Sequence, residues 1–195
     1  MIKLRALPAF LAIALCLAAN SPAEATDQAQ ALLEKASASL QADQPKRALK
    51  QTEAAREKIW QKVPLFIETA IYLKERPQAY GIYTQRKNNT YPRKGEPVLI
   101  YIEPKGYGVK SNPDGTKTFG VSLDIALTDP KGKVLWGKEN FLRKEMTSHH
   151  FISEFYLLVT LTLSGAPAGD YFVSLRVNDL KDSQSTAVKL PLQLR

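Results

Sequence analysis

Tyrosine and basic residues crowd one stretch of this chain, YGIYTQRKNNTYPRKGEPVLIYIEP at positions 80–104, which holds four of the eight tyrosines and four Arg or Lys. Tyrosine rings stack on sugar rings, and Arg and Lys make charge-assisted hydrogen bonds to phosphate and carboxylate groups. On those grounds Tyr83, Arg86, Lys87, Arg93, Lys94 and Tyr101 are the ligand-binding candidates for an anionic polymer. Within PVLIYIEP, Val98, Ile100 and Ile102 share one parity, and Leu99, Tyr101 and Glu103 share the other. If the first set faces a core, Tyr101 and Glu103 face outward. The plainer account of the same residues is that tyrosine suits strands and that loops expose Lys and Arg.

Other chemistry-bearing groups are sparse. Glu103 with Asp124 is the carboxylate pair a glycan hydrolase would need, with a carboxyl separation of about 5 to 9 Å. Both histidines lie in EMTSHHFISE. On strands, Glu145 and His149 take one face while His150 and Glu154 take the other, which splits the quartet and leaves no three convergent metal ligands. No GxSxG is present, and Ser164 before Gly165 belongs to the turn SGAPAGD. Asp170, Asp179 and Asp182 fall at strand ends, where Asx turns account for them. The glycine-rich run KGYGVKSNPDGTK has no GK[ST] ending and reads as a loop. No cofactor is implied.

The start of the chain reads as an export signal spanning residues 1–25. Lys3 and Arg5 precede the apolar run FLAIALCLAA, and AEA supplies a small-x-small cleavage pattern, placing cleavage between Ala25 and Thr26. The run is shorter than the roughly 20 apolar residues that span a bilayer. Cys16 lies within that run behind Leu15, which does not suit a lipoprotein signal. Its loss on cleavage leaves a mature chain without cysteine, so disulfides and thiolate chemistry are excluded. The expected location is periplasmic or secreted, with no transmembrane segment after cleavage.

The formal net charge is +8, or +7 after cleavage, and residues 74–117 alone carry nine basic and four acidic side chains. That clustering favours anionic partners such as acidic glycans or lipid head groups, or simply a solvated basic face. Export and the lack of any nucleic-acid-binding motif argue against a nucleic-acid role.

Two textures divide the mature chain. Residues 26–62 read as a helical hairpin. Leu32, Leu33, Ala36 and Leu40 form one stripe, ADQP breaks it, and Ala48, Leu49, Thr52, Ala55, Ile59 and Trp60 repeat it. Pro45 suits a first helical turn, with Thr26 or Asp27 capping the first helix and Asp43 the second. The expected product is an antiparallel pair with a small-residue seam. From residue 63 to 195 the period becomes two. Seven or eight strands are separated by RKGE, SNPDGT, DPKGK, SGAPAGD and DLKDS, with Phe119, Val121, Leu123, Ile125 and Leu127 on one side of one strand. Phe155, Leu157, Val159, Leu161 and Leu163 line one side of another. Strands without intervening helices predict a mainly β chain, an antiparallel β-sandwich preceded by the short hairpin.

PKRALKQTEAA resembles the second helix of a tetratricopeptide unit, with no second copy following it. LSGAPAGDYFVSLRVND with STAVKLPLQL resembles the last two strands of immunoglobulin-like or fibronectin type III-like domains of exported bacterial proteins, and YPRKGEPVLIYIEP resembles an early strand of the same domains. The resemblance implies an immunoglobulin-like sandwich without the antibody-type disulfide, and it implies no activity. The resulting expectation is an exported, non-enzymatic binding or assembly module of the bacterial envelope. It would work by strand addition at a sheet edge to a protein partner, or by loop contact with an anionic polymer. The alternative is the carboxylate-pair glycan hydrolase.

Overall fold

The structure, a computed structural model, describes residues 22–93, 96–163 and 165–195. Residues 1–21, Lys94, Gly95 and Ser164 therefore lie outside the described residues, and with them most of the expected export signal.

Helix α1 (Pro22–Gln41) and helix α2 (Pro45–Trp60) form the hairpin. Proline opens α2 because its missing N–H would have had no helical partner in the first turn. The caps differ from the sequence expectation. Thr26 and Asp27 lie inside α1, while Asp43 turns the chain with a φ of 54° and Gln44 takes the position before Pro45. The seam is made of Ala25, Ala29, Ala36 and Ser39 against Ala48 and Ala55, all buried. The Ser39 hydroxyl donates to Gln51 Oε1 at 2.8 Å across it. Leu33, Leu40 and Leu49 are exposed, so the small residues of the expected stripes make the contact and these leucines do not. No described helix is long and apolar enough to cross a membrane.

The remainder is a two-sheet sandwich. One sheet has three strands in the order β1 (Phe66–Leu73), β3 (Val98–Lys105), β7 (Leu157–Leu161). The other is built on β5 (Lys117–Thr128). Along one side β5 pairs with β8 (Gly169–Asp179) and, beyond the end of β8, with β4 (Val109–Ser111). Along its other side lies β6 (Val134–Ser148). Outside β8 come β9 (Ser185–Leu194) and β2 (Thr90–Tyr91), the latter parallel to β9 in an otherwise antiparallel arrangement.

Alternation builds the core as the sequence predicts. Val98, Ile100 and Ile102 of β3 and Leu157, Val159 and Leu161 of β7 meet Val121, Leu123 and Ile125 of β5 and Val173, Leu175 and Val177 of β8. Phe119, Tyr107 and Phe155 close one end of this core with ring centroids 5.0–5.8 Å apart.

The hairpin meets the sandwich through the last turn of α2. Trp60 Nε1 donates to the Tyr107 carbonyl at 2.8 Å, and its ring packs edge-on against Tyr107 and Phe151. Glu57 pairs with Lys117 at the foot of β5. Gly106 is required here. A Cβ at this position would stand 2.2 Å from the Pro64 carbonyl oxygen, and its φ is 72°.

Candidate binding surfaces

The tyrosine-rich stretch is a strap rather than an open face. Between β1 and β3 the chain folds back over the outer side of the small sheet, burying Leu73, Leu99 and Tyr101 in a second apolar cluster with Ile71, Tyr156 and Leu158. The expectation that Tyr101 and Glu103 face solvent is therefore corrected. Both do lie on the side away from the main core, but the strap covers that side and both are buried. A sheet covered on two faces reads as the unbroken run VLIYI instead of an alternation.

Tyr101 Oη donates to Glu103 Oε1 at 2.6 Å and accepts from the Gly81 N–H at 3.0 Å, fastening strap to strand. Burial, and then that bond to Glu103, push the phenol well above its usual pKa. Thr69 and Tyr80 also approach Glu103 Oε2, each at 3.4 Å. Lys105 Nζ donates to Tyr80 Oη at 2.6 Å and to the Ser153 carbonyl at 2.9 Å.

The other candidates divide. Tyr83 lays its ring on Tyr101 with centroids 4.6 Å apart. Arg86 donates to Glu96 at 2.5 Å and to the Thr90 carbonyl at 2.8 Å, and its guanidinium lies 4.0 Å from the Tyr91 ring centroid. Its charge is thus used to close the side of the sandwich where β1 and β9 meet. Arg93 ties the strap down, donating from its backbone to the Arg195 carbonyl and from Nε to Ala166. Lys87 is exposed. Of the six candidates, Lys94 lies outside the described residues, Tyr101 is buried, and Arg86 is already engaged by Glu96.

The carboxylate pair is not assembled either. Glu103 lies on the outer side of the small sheet. Asp124, out of phase with the core residues Leu123 and Ile125, lies on the outer side of the large one. Asp124 is engaged: Oδ1 accepts from the Asn140 N–H at 2.8 Å and Oδ2 from Asn178 Nδ2 at 2.9 Å. The first bond pins a bulge in β6, where Asn140 has a φ of 48° and the register against β5 shifts. His149 and His150 are exposed in the turn after β6. Among the described residues no three His, Cys, Asp or Glu side chains gather as a metal site.

The feature that the sequence reading passed over is the opposite side of the sandwich. There β6 borders the large sheet and β7 borders the small one, and among the described strands neither pairs with anything beyond. Val134, Leu135 and Trp136 of β6 are 60, 48 and 44 % exposed. Beside them a groove of about 360 Å³ enters between the sheets, lined by Leu127, Trp136, Phe141, Leu161, Leu163 and Ala166 with Thr160 and Thr162. The signal was present as VLW, three consecutive large apolar residues in a strand bordered by KGK and GKEN. It breaks the alternation that a half-buried strand should show. No protein-family model and no curated protein matches the chain.

Proposed function

We propose that the protein is an exported, non-enzymatic binding module of the bacterial envelope that holds an extended segment of a protein partner along β6. One observation carries this reading: a fifteen-residue edge strand, whose outer backbone edge is unpaired among the described residues, runs beside an apolar groove open between the sheets. An exposed edge offers a row of N–H and C=O groups to another strand. Strand addition uses those groups for affinity and neighbouring pockets for side-chain selection. Val134, Leu135 and Trp136 supply the exposed apolar surface that such a contact would cover. Export rests on the leader pattern in residues 1–25.

The test is capture from envelope extract followed by hydrogen exchange on the complex. The expected result is a protein partner retained at high salt, slowed exchange in residues 134–138, and loss of capture in Trp136→Ser. Charge reversal at Lys87 should leave capture unchanged. Retention of glycan or lipid only at low salt, with β6 exchange unaltered, would overturn the reading and return the role to the basic stretch.

A further inference from the structure

An edge strand this long needs protection against random pairing, and β6 has two kinds. Its register against β5 shifts twice, near Leu135 and around Asn140. It also carries lysines on its inward side: Lys138 pairs across with the core residue Ile125, and Lys144 with the core residue Val121. Neither ammonium has a carboxylate partner among the described residues. Lys144 Nζ lies 5.2 and 5.8 Å from the ring centroids of Phe155 and Tyr156, and Lys138 Nζ lies 6.0 Å from that of Phe141. Inward charge on an edge strand discourages indiscriminate addition, because an apolar newcomer would bury an unpaired ammonium. Two copies of β6 laid edge to edge would bring like charges together, which selects against self-pairing.

A strand with carboxylates at the matching places escapes both penalties. Resting on the strand-addition reading above, we infer that the segment received by β6 is acidic on its inward side, with two carboxylates four positions apart. The spacing follows from the register. Although Lys138 and Lys144 are six apart in sequence, their partners Ile125 and Val121 are four apart, because the bulge takes up the extra residues. A straight incoming strand therefore meets the two ammonium groups about 13 Å apart, at 3.3 Å per residue. Between them it faces Leu142, and beyond Lys138 it faces Trp136. Its inward side then reads apolar, acidic, apolar, acidic at every second residue. The lysines are thus specificity-determining: they reject apolar and basic strands and a second copy of this chain, and accept an acidic one.

The experiment uses the full chain and three nine-residue peptides that alternate Thr with an inward series. The series is Val, Glu, Val, Glu in the first, Val, Gln, Val, Gln in the second, and Val, Lys, Val, Lys in the third. Affinity is read by titration, and the site by hydrogen exchange in β6. The Glu peptide should slow exchange across β6 and bind at least about tenfold tighter than the Gln peptide, an advantage that shrinks with salt. The Lys138→Glu/Lys144→Glu chain should prefer the Lys peptide, and Lys138→Gln/Lys144→Gln should lose the discrimination without losing the fold. Equal binding of all three peptides at β6 would overturn the acidic preference and leave the strand-acceptor reading standing. If no peptide alters β6 exchange, the acceptor reading itself fails and the lysines are guards of an edge that stays closed.

Discussion

Buried tyrosines differ in what their hydroxyls do. Tyr107 donates to the Ile152 carbonyl at 2.9 Å and Tyr171 to the Pro167 carbonyl at 2.8 Å, whereas Tyr101 joins Gly81 to Glu103. The hydroxyls of Tyr72 and Tyr91, whose rings pack edge to face at 5.6 Å, are buried and find no partner among the described residues. A buried hydroxyl without a partner pays desolvation and gains nothing in return. Tyr91→Phe should therefore leave unfolding free energy at pH 7 unchanged or raise it, since the ring keeps its contacts with Tyr72 and Arg86. Tyr101→Phe should cost about 1–3 kcal/mol, because Gly81 and Glu103 lose their partner in a buried place. The comparison also has a pH signature. Burial pushes the Tyr91 phenol up to about 12, with Arg86 pulling it down and Glu96 pushing it further up. A raised folded-state value means that this stability is intact below the unfolded pKa near 10 and is lost as pH climbs toward 12. The advantage of Tyr91→Phe should grow through that window. Urea melts at pH 7 and pH 11 decide the matter, and a Tyr91→Phe variant weaker than the parent at both would contradict it.

Between elements, the junction of hairpin and sandwich depends on close backbone approach. The Trp60 indole reaches the Tyr107 carbonyl only because the chain at Gly106 passes directly under Pro64, and Leu65 N–H is held by Gln184 Oε1 at 2.8 Å. Gly106→Ala should destabilise the protein by roughly 2 kcal/mol or more, combining a left-handed φ with a backbone clash. An alanine here with an unchanged melting temperature would show that the approach is not rigid. Such contacts lie beyond one-dimensional reading, since the glycines of KGYGVK look the same whether they turn a free loop or underlie a helix end. The long strands were legible because Phe119 to Leu127 and Tyr171 to Val177 alternate without interruption. The second face of β3 was not, because period two records which residues share a side and never what covers that side. The β6 edge is hidden for the opposite reason: VLW reads as strand, and only sheet order shows that this strand has no outer neighbour among the described residues.

At the scale of the molecule, stability is divided unequally. The sandwich buries branched and aromatic side chains from seven strands in one cluster, while the hairpin's own seam is alanine and serine with Leu33, Leu40 and Leu49 left outside. Burying a Leu or Ile side chain contributes about 1.5–3 kcal/mol, and an alanine methyl much less. In proteins most helical stability comes from tertiary packing of one face rather than from intrinsic propensity. Most of what holds α1 and α2 in place is therefore their contact with each other and the anchor at Trp60, so the hairpin should open well before the sheets do. Native-state hydrogen exchange should show α1 amides opening at a small fraction of the global unfolding free energy, with β5 and β8 amides near the global value. Trp60→Ala should lower protection in α2 while leaving β5 and β8 unchanged in pattern, separating the anchor from the core. Hairpin amides protected as strongly as those of β5 would mean that the exposed leucines are covered in solution, and the chain would then be using its helices as well as its sheet edge to hold a partner.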